Sequence, residues 1–289
     1  MIGPEEMTDE FRFYLLRKRQ AEDQIVNAFR GFRQRGIEPI LIKGWAAARN
    51  YPEFKPRFSG DIDLAVAASD YEAAKDLLNE TEGSIGGVDL HRELRHLDTL
   101  EWPKLYSNSE LVALDNASIR ILSPEDHLRV LCVHWLTNGG ESRERLFDIV
   151  YAVRNRPAEF DWAKCLGVVS AIRRKWIIST IGLAHKYLDL ELDGIPFAEE
   201  AKRLPDWLTR CVEKEWASGV ELRALESLIR NPRAFLQQAR KRIPPNPIQA
   251  TINCEGGFDD TGRLIYQLRD MLKRFRPSIR RISGAVMER

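Results

Sequence analysis

Apolar and polar positions recur with clear periods along the first third of the chain, and these periods predict its secondary structure. Between Thr8 and Arg35 the apolar residues return about every 3.6 positions, which predicts one long amphipathic helix that Gly36 ends. The apolar run 39–42 predicts a buried strand, and residues 45–50 predict a short helix. Residues 61–66 alternate with a period of two, which predicts a strand with one apolar and one polar face.

The rest of the chain changes character near residue 122. Residues 70–80 predict a helix, 88–94 a strand and 118–122 a short strand, whereas 97–114 has no clear period. Ser123-Pro124, followed by two acids, is a strong helix start, and most of the sequence beyond it is helical in pattern. The fold class expected is therefore α/β (α+β). A domain over residues 1–122 has a small mixed sheet and an N-terminal helix, and an all-α domain follows over 123–289.

Two carboxylates on one strand face are the main chemical signal. The period of two places Asp61 and Asp63 on the face opposite the apolar residues, where they repel each other unless a cation lies between them. A hard divalent cation prefers such oxygen ligands. Asp89, His91 and Glu93 would share one face of the strand 88–94. If that strand lies beside the first, Asp89 completes a cluster of three acids suited to two metal ions.

A possible phosphate site lies just upstream of these acids. Lys43 and Gly44 join the first strand to the short helix, and a strand, a glycine turn and a helix N-terminus together make an anion site. Lys43 would add a point charge. Arg57, four residues before Asp61, would reach a triphosphate or pair with the acids. Gly60 is assigned to nucleotide binding together with Lys43, Gly44 and Arg57. A phosphate site beside paired carboxylates indicates metal-assisted phosphoryl or nucleotidyl transfer. Lys43 as an ordinary surface lysine is the plain alternative.

These residues resemble a known superfamily. The resemblance is to the polymerase-beta-type nucleotidyltransferases, most closely to their uncharacterised nucleotidyltransferase family, and it covers roughly residues 38 to 190. It is carried by Lys43-Gly44, by Arg57-Phe58-Ser59-Gly60-Asp61-Ile62-Asp63-Leu64 and by Asp89-Leu90-His91. It implies that Asp61, Asp63 and Asp89 bind two Mg²⁺ ions and that Asp89 activates the attacking hydroxyl. The superfamily usually has Gly-Ser or Gly-Gly opening the helix after the first strand, whereas here Trp45 follows Gly44.

The resemblance implies an enzyme that moves a nucleoside monophosphate from a nucleoside triphosphate to an acceptor hydroxyl or phosphate. ATP is the default donor, and another nucleoside triphosphate is left open as the alternative. The acceptor stays open among a small molecule, a peptide, a protein and RNA. Because of Trp45, a catalytically idle binding module for a peptide, protein or RNA partner is the alternative. A toxin–antitoxin component is a third. A lysine ammonium that fills the space between the acids, or an Asp89 directed away from the other two, would overturn the enzyme hypothesis.

Composition and charge further narrow the functional classes that fit this chain. The 289 residues carry 44 basic and 43 acidic side chains, and the net charge of +1 argues against a general nucleic-acid binder. No apolar run approaches the roughly 18 residues that cross a membrane, and the polar N-terminus does not have the pattern of a secretory signal. The four scattered cysteines have neither zinc-ligand spacing nor a disulfide pattern. We therefore expect a cytoplasmic protein, with an oligomeric state that the sequence does not indicate. Residues 263–289 read as a cationic amphipathic helix.

Overall fold

The computed structural model describes residues 9–53, 55–57, 60–81, 87–94, 96–219, 242–259 and 261–274. The chain divides into two units of dense internal contact. Unit 1 consists of the residues up to Leu131 together with Tyr151–Val168, and unit 2 consists of Cys132–Val150 together with the residues from Val169 onward.

Unit 1 contains all the strands of the described residues. Its elements begin with α1 (Asp9–Gln34), β1 (Ile40–Leu41), α2 (Trp45–Ala48), β2 (Ile62–Val66), α3 (Tyr71–Glu80), β3 (Val88–Arg92), α4 (Trp102–Asn108), β4 (Glu110–Leu114) and β5 (Ala117–Ile121). Helices α5 (Pro124–Thr137) and α6 (Arg143–Arg154) contribute residues to both units, and α7 (Trp162–Gly167) belongs to unit 1. The elements of unit 2 are α8 (Ala171–Leu188), α9 (Ala198–Lys202), α10 (Asp206–Ser218), α11 (Pro247–Asn253) and α12 (263–274).

The strands form one mixed sheet in the order β3-β2-β1-β5-β4. Strand β2 is parallel to β3 and antiparallel to β1, while β5 is parallel to β1 and antiparallel to β4. The mixed α/β fold with an N-terminal helix and a helical C-terminal region is therefore confirmed. Sequence periodicity did not reveal α4 and β4, because β4 is mostly exposed and so lacks an alternating apolar face.

The core of unit 1 lies on one face of this sheet. Ile62, Leu64 and Val66 of β2 are almost fully buried and join a cluster that includes Phe29 and Phe32 of α1. Each such side chain contributes about 1.5–3 kcal/mol when it is fully removed from water. Because side chains alternate along a strand, the same register that buries these residues turns Asp63 to the other face.

A buried guanidinium fixes a second part of unit 1. The side chains of Arg129, Asp98 and Asp126 are at most 1% exposed. Arg129 donates from Nε to Asp98 at 2.9 Å, from Nη2 to Asp126 at 2.6 Å and from Nη1 to the Cys165 carbonyl at 3.3 Å. Burial alone would lower the pKa of Arg129, but the two carboxylates outweigh it and raise the pKa. This network joins the loop after β3 to α5 and α7.

Unit 2 is built around α8. Its Trp176 is fully buried and donates from Nε1 to the Gly256 carbonyl at 2.9 Å. Gly182 lets α9 approach α8 closely, since a Cβ at this position would lie 2.0 Å from the carbonyl oxygen of Ala201. The basic segment expected to be amphipathic begins as helix α12, on which Leu264, Leu268 and Leu272 are exposed, and residues 275–289 lie outside the described residues.

Among the residues that the structure describes, no helix combines the length and the apolar character needed to cross a lipid bilayer.

Candidate metal centre

Two acids and a histidine meet on the polar face of the neighbouring strands β2 and β3. The parallel register sets Asp63 directly beside Asp89, and His91 lies two residues further along β3 on the same face. His91 Nε2 is 3.2 Å from Asp63 Oδ1 and also 3.2 Å from Asp89 Oδ2. One ligand atom from each of the three side chains lies within 4.8 Å of the other two, so the group has the spacing of a metal site.

The structure brings Asp63 and Asp89 together but leaves Asp61 outside this group. Asp61 is exposed and directly precedes β2. Glu93 also departs from the expected face, because β3 ends at Arg92. The backbone of Glu93 turns to a φ of 55°, and its carboxylate accepts from the amide of Ala68 at 3.3 Å.

Lys43 contacts the cluster directly. Its Nζ lies 2.7 Å from Asp63 Oδ1, and the two side chains are only 9% and 13% exposed. Burial alone would raise the pKa of Asp63, but the hydrogen bond from His91 and the charge of Lys43 outweigh it and hold this pKa below its ordinary value of 3.8. Asp63 is therefore ionised at neutral pH, and its negative charge is already paired with an ammonium group.

The sequence left His91 undecided between a contact to substrate or metal and an ordinary polar residue of the strand face, and the structure places it in this cluster. His91 Nε2 lies 3.2 Å from a carboxylate oxygen of each acid, so the ring links Asp63 of β2 with Asp89 of its own strand. The signal that could have found it was the period of two, since His91 shares a strand face with Asp89.

Three of the residues assigned to phosphate binding, Lys43, Gly44 and Arg57, meet at the turn before α2. Gly44 has φ 64° and ψ −116°, a conformation that favours glycine, and its carbonyl accepts from Arg57 Nη1 at 3.0 Å. Arg57 therefore supports the turn that carries Lys43. Helix α2 has only four residues, so few peptide dipoles align behind Gly44. Gly60 is exposed, and a Cβ added to it would meet no atom within 4 Å.

Trp45, which occupies the position of the usual small residue, packs against α1. Its Nε1 donates to Glu22 Oε1 at 3.1 Å, and the Arg49 guanidinium lies 5.7 Å from the ring centroid. Trp45, Arg49 and Arg57 help to line a cavity of about 210 Å³ within unit 1, together with Tyr14 and Glu22 of α1.

Residues 4–87 match the family model described as "Uncharacterised nucleotidyltransferase", which confirms the family resemblance and suggests nucleotidyl transfer, whereas the resemblance expected over residues 88–190 lies outside the match. The matched segment contains Lys43, Gly44, Arg57 and both acids around β2, and it ends just before β3. The place of Asp89 and His91 beside Asp63 is therefore seen from the strand register rather than from the match. Neither a curated protein nor a solved structure matches the chain.

Proposed function

We propose that this protein is a metal-dependent nucleotidyltransferase that moves a nucleoside monophosphate from a nucleoside triphosphate, with ATP as the default donor, to an acceptor hydroxyl or phosphate. The observation that carries the proposal is the pairing of Asp63 with Asp89 at one register of parallel strands, with His91 3.2 Å from both. The family match over β2 supports the same reaction class.

The donor set fits a divalent cation. Asp63 is held ionised by its environment, and Asp89, 63% exposed, is open to solvent and hence to a substrate. Asp61 lies at the entrance to β2 and would contribute to the second of the two Mg²⁺ ions that the resemblance implies. When bound, such ions would neutralise charge on the reacting phosphate and orient it.

The transfer step assigns a task to Asp89. The acceptor oxygen forms a bond to the α-phosphorus while the bond from that phosphorus to the bridging oxygen of pyrophosphate breaks, so pyrophosphate leaves. A hydroxyl acceptor gives its proton to the Asp89 carboxylate, whose exposure leaves it accessible to an incoming group. Gly44, Arg57 and Gly60 would shape the triphosphate site, with Arg57 holding the Gly44 turn in place.

Lys43 bears on both the metal site and the triphosphate site in this proposal. Its ammonium neutralises Asp63 at 2.7 Å, so a metal ion at Asp63 has to compete with it. An ammonium displaced in this way would be left beside the Gly44 turn, where it would bind the triphosphate as a point charge.

The same ion pair favours a second candidate, in which the fold is catalytically idle and serves as a binding module for a peptide, protein or RNA. A carboxylate already satisfied by lysine needs no metal ion. Calorimetry with ATP and Mg²⁺ separates the two candidates, because the enzyme binds this pair with measurable heat and the idle module does not.

The activity test uses the four α-³²P-labelled nucleoside triphosphates with Mg²⁺ or Mn²⁺ and scores label transferred to fractions of a cell extract. We expect Asp89→Asn and Asp63→Asn to lower transfer at least about 100-fold, equivalent to about 2.7 kcal/mol of transition-state stabilisation. Asp76→Asn, an exposed acid on α3, is the matched control and should transfer at the wild-type rate. Undiminished transfer by a folded Asp63→Asn/Asp89→Asn protein would remove both residues from the mechanism.

A further inference from the structure

We infer that His91 is itself a metal ligand and that it makes this centre prefer an imidazole-accepting divalent ion of the first transition row over Mg²⁺. The inference rests on the proposed function only in taking the acids of β2 and β3 to bind a metal. It departs from the all-oxygen magnesium site that the acids alone would predict.

The spacing of the three side chains carries the inference. Neighbouring ligands of one octahedral ion with bonds of about 2.1 Å lie about 3 Å apart. His91 Nε2 meets this spacing twice, at 3.2 Å from an oxygen of Asp63 and at 3.2 Å from an oxygen of Asp89. The imidazole nitrogen is thus about as far from each carboxylate oxygen as two neighbouring ligands of one ion are from each other.

The backbone holds His91 in this place. His91 lies within β3, and the residue paired with it on β2 is Ala65, which is fully buried and has only a methyl side chain. The small neighbour leaves room for the imidazole to lean towards Asp63, and the ring remains only 15% exposed. A ligand carried by a paired strand is positioned more firmly than one carried by a loop.

The chemistry of the donors then selects the ion. Mg²⁺ takes oxygen ligands and gives up its water reluctantly, whereas an imidazole nitrogen suits transition-metal dications. Mn²⁺ stands lowest in the first-row affinity series and also accepts carboxylates readily, so it is the most demanding probe of the nitrogen ligand. Carboxylate oxygens alone also favour Mn²⁺ over Mg²⁺, so the contribution of His91 is reported by the fall in the Mn²⁺/Mg²⁺ affinity ratio when the imidazole is removed.

The experiment uses the full chain with Mn²⁺ and no nucleotide. Electron paramagnetic resonance of free Mn²⁺ gives the affinity, competition with Mg²⁺ gives the affinity ratio, and electron spin echo modulation of bound Mn²⁺ reports any coordinated nitrogen. We expect Mn²⁺ to bind at least about tenfold more tightly than Mg²⁺. We also expect ¹⁴N modulation that changes to the ¹⁵N pattern when the protein contains ¹⁵N-histidine, which distinguishes the imidazole from the Lys43 amine.

The variants identify which histidine is the ligand. His91→Gln should weaken Mn²⁺ at least about tenfold while changing Mg²⁺ by less than about threefold, so the affinity ratio collapses. His96→Gln, at an exposed position outside the group, should leave both affinities unchanged. Circular dichroism checks that each variant is folded.

The inference is overturned if the wild-type modulation does not respond to ¹⁵N-histidine, if the wild-type protein binds no Mn²⁺, or if His91→Gln keeps the wild-type affinity ratio. The ¹⁵N result needs no variant, so a misfolded substitution does not blunt the test. Label transfer measured separately distinguishes the two proposals. If label is transferred but no histidine ligand is detected, only this inference is refuted. If a histidine-bound ion is detected but no label is transferred, only the proposed nucleotidyltransferase activity is refuted.

Discussion

Replacing Lys43 by methionine should destabilise the protein by about 3 kcal/mol. The Lys43 and Asp63 charges lie 2.7 Å apart, and their gross attraction is roughly 6 kcal/mol at an effective dielectric constant of about 20. Much of this is offset by the desolvation of both groups. Deleting one partner, however, leaves the other buried and unpaired, which usually costs about 3–5 kcal/mol. We take the lower end because His91 still bonds to Asp63 and both side chains keep about a tenth of their exposure.

Urea unfolding followed by circular dichroism measures this loss, first in EDTA and then with Mn²⁺. Lys18→Met is the matched control, because Lys18 is half exposed, lies 4.0 Å from Glu22 and should show no measurable change. Mn²⁺ should stabilise Lys43→Met more than the wild type, since the ion no longer competes with an ammonium for Asp63. A loss below about 1 kcal/mol would show that the pair behaves as a surface ion pair. An equal gain from Mn²⁺ in both proteins would show that the lysine and the ion do not compete.

Three further outcomes follow from the described contacts. The folded pKa of Asp63 lies below 3.8, so the stabilising contribution of this carboxylate is present at neutral pH and is lost as pH falls through that lowered pKa. In urea titrations, the stability difference between wild type and Asp63→Asn should therefore narrow between about pH 5 and pH 3. Arg129→Met leaves two buried carboxylates unpaired and should cost about 3–5 kcal/mol, measured as a lower urea midpoint, and an unchanged midpoint would contradict the network. Gly182→Ala should cost about 1–3 kcal/mol because its Cβ meets the Ala201 carbonyl. Gly167→Ala, with open space around its Cβ, should keep the wild-type stability. Equal urea midpoints for the two variants would refute the close helix contact.

The strand that bears Asp63 was predictable because its alternation is strict. Ile62 and Leu64 had to be buried together, and Asp63 had to face the other way. The N-terminal helix was predictable for the same reason, since its apolar period is long and it ends where Gly36 adopts a positive φ. Local pattern therefore accounts for the elements and for the face on which the chemistry lies.

Pairing between distant segments was not predictable from local pattern. The sequence suggested that Asp89 would lie near Asp63 only on the condition that their strands are neighbours, and the register that aligns them appears only in the sheet. The contact of Lys43 with Asp63 depends on the antiparallel pairing of β1, a strand of two residues that carries almost no periodic signal. The histidine was similarly undecided, because a strand face does not tell which of its polar groups converge.

Helix α3 separates the two acids along the sequence, so the chelating group does not exist until β2 and β3 have come together. In the unfolded chain Asp63 and Asp89 do not lie together, so a cation that depends on both of them must recognise the folded state. Ion affinity therefore also reports whether β2 and β3 have paired in their native register. A substitution in the crossover that slides one strand past its neighbour should erase ion uptake even when the overall helix content is preserved.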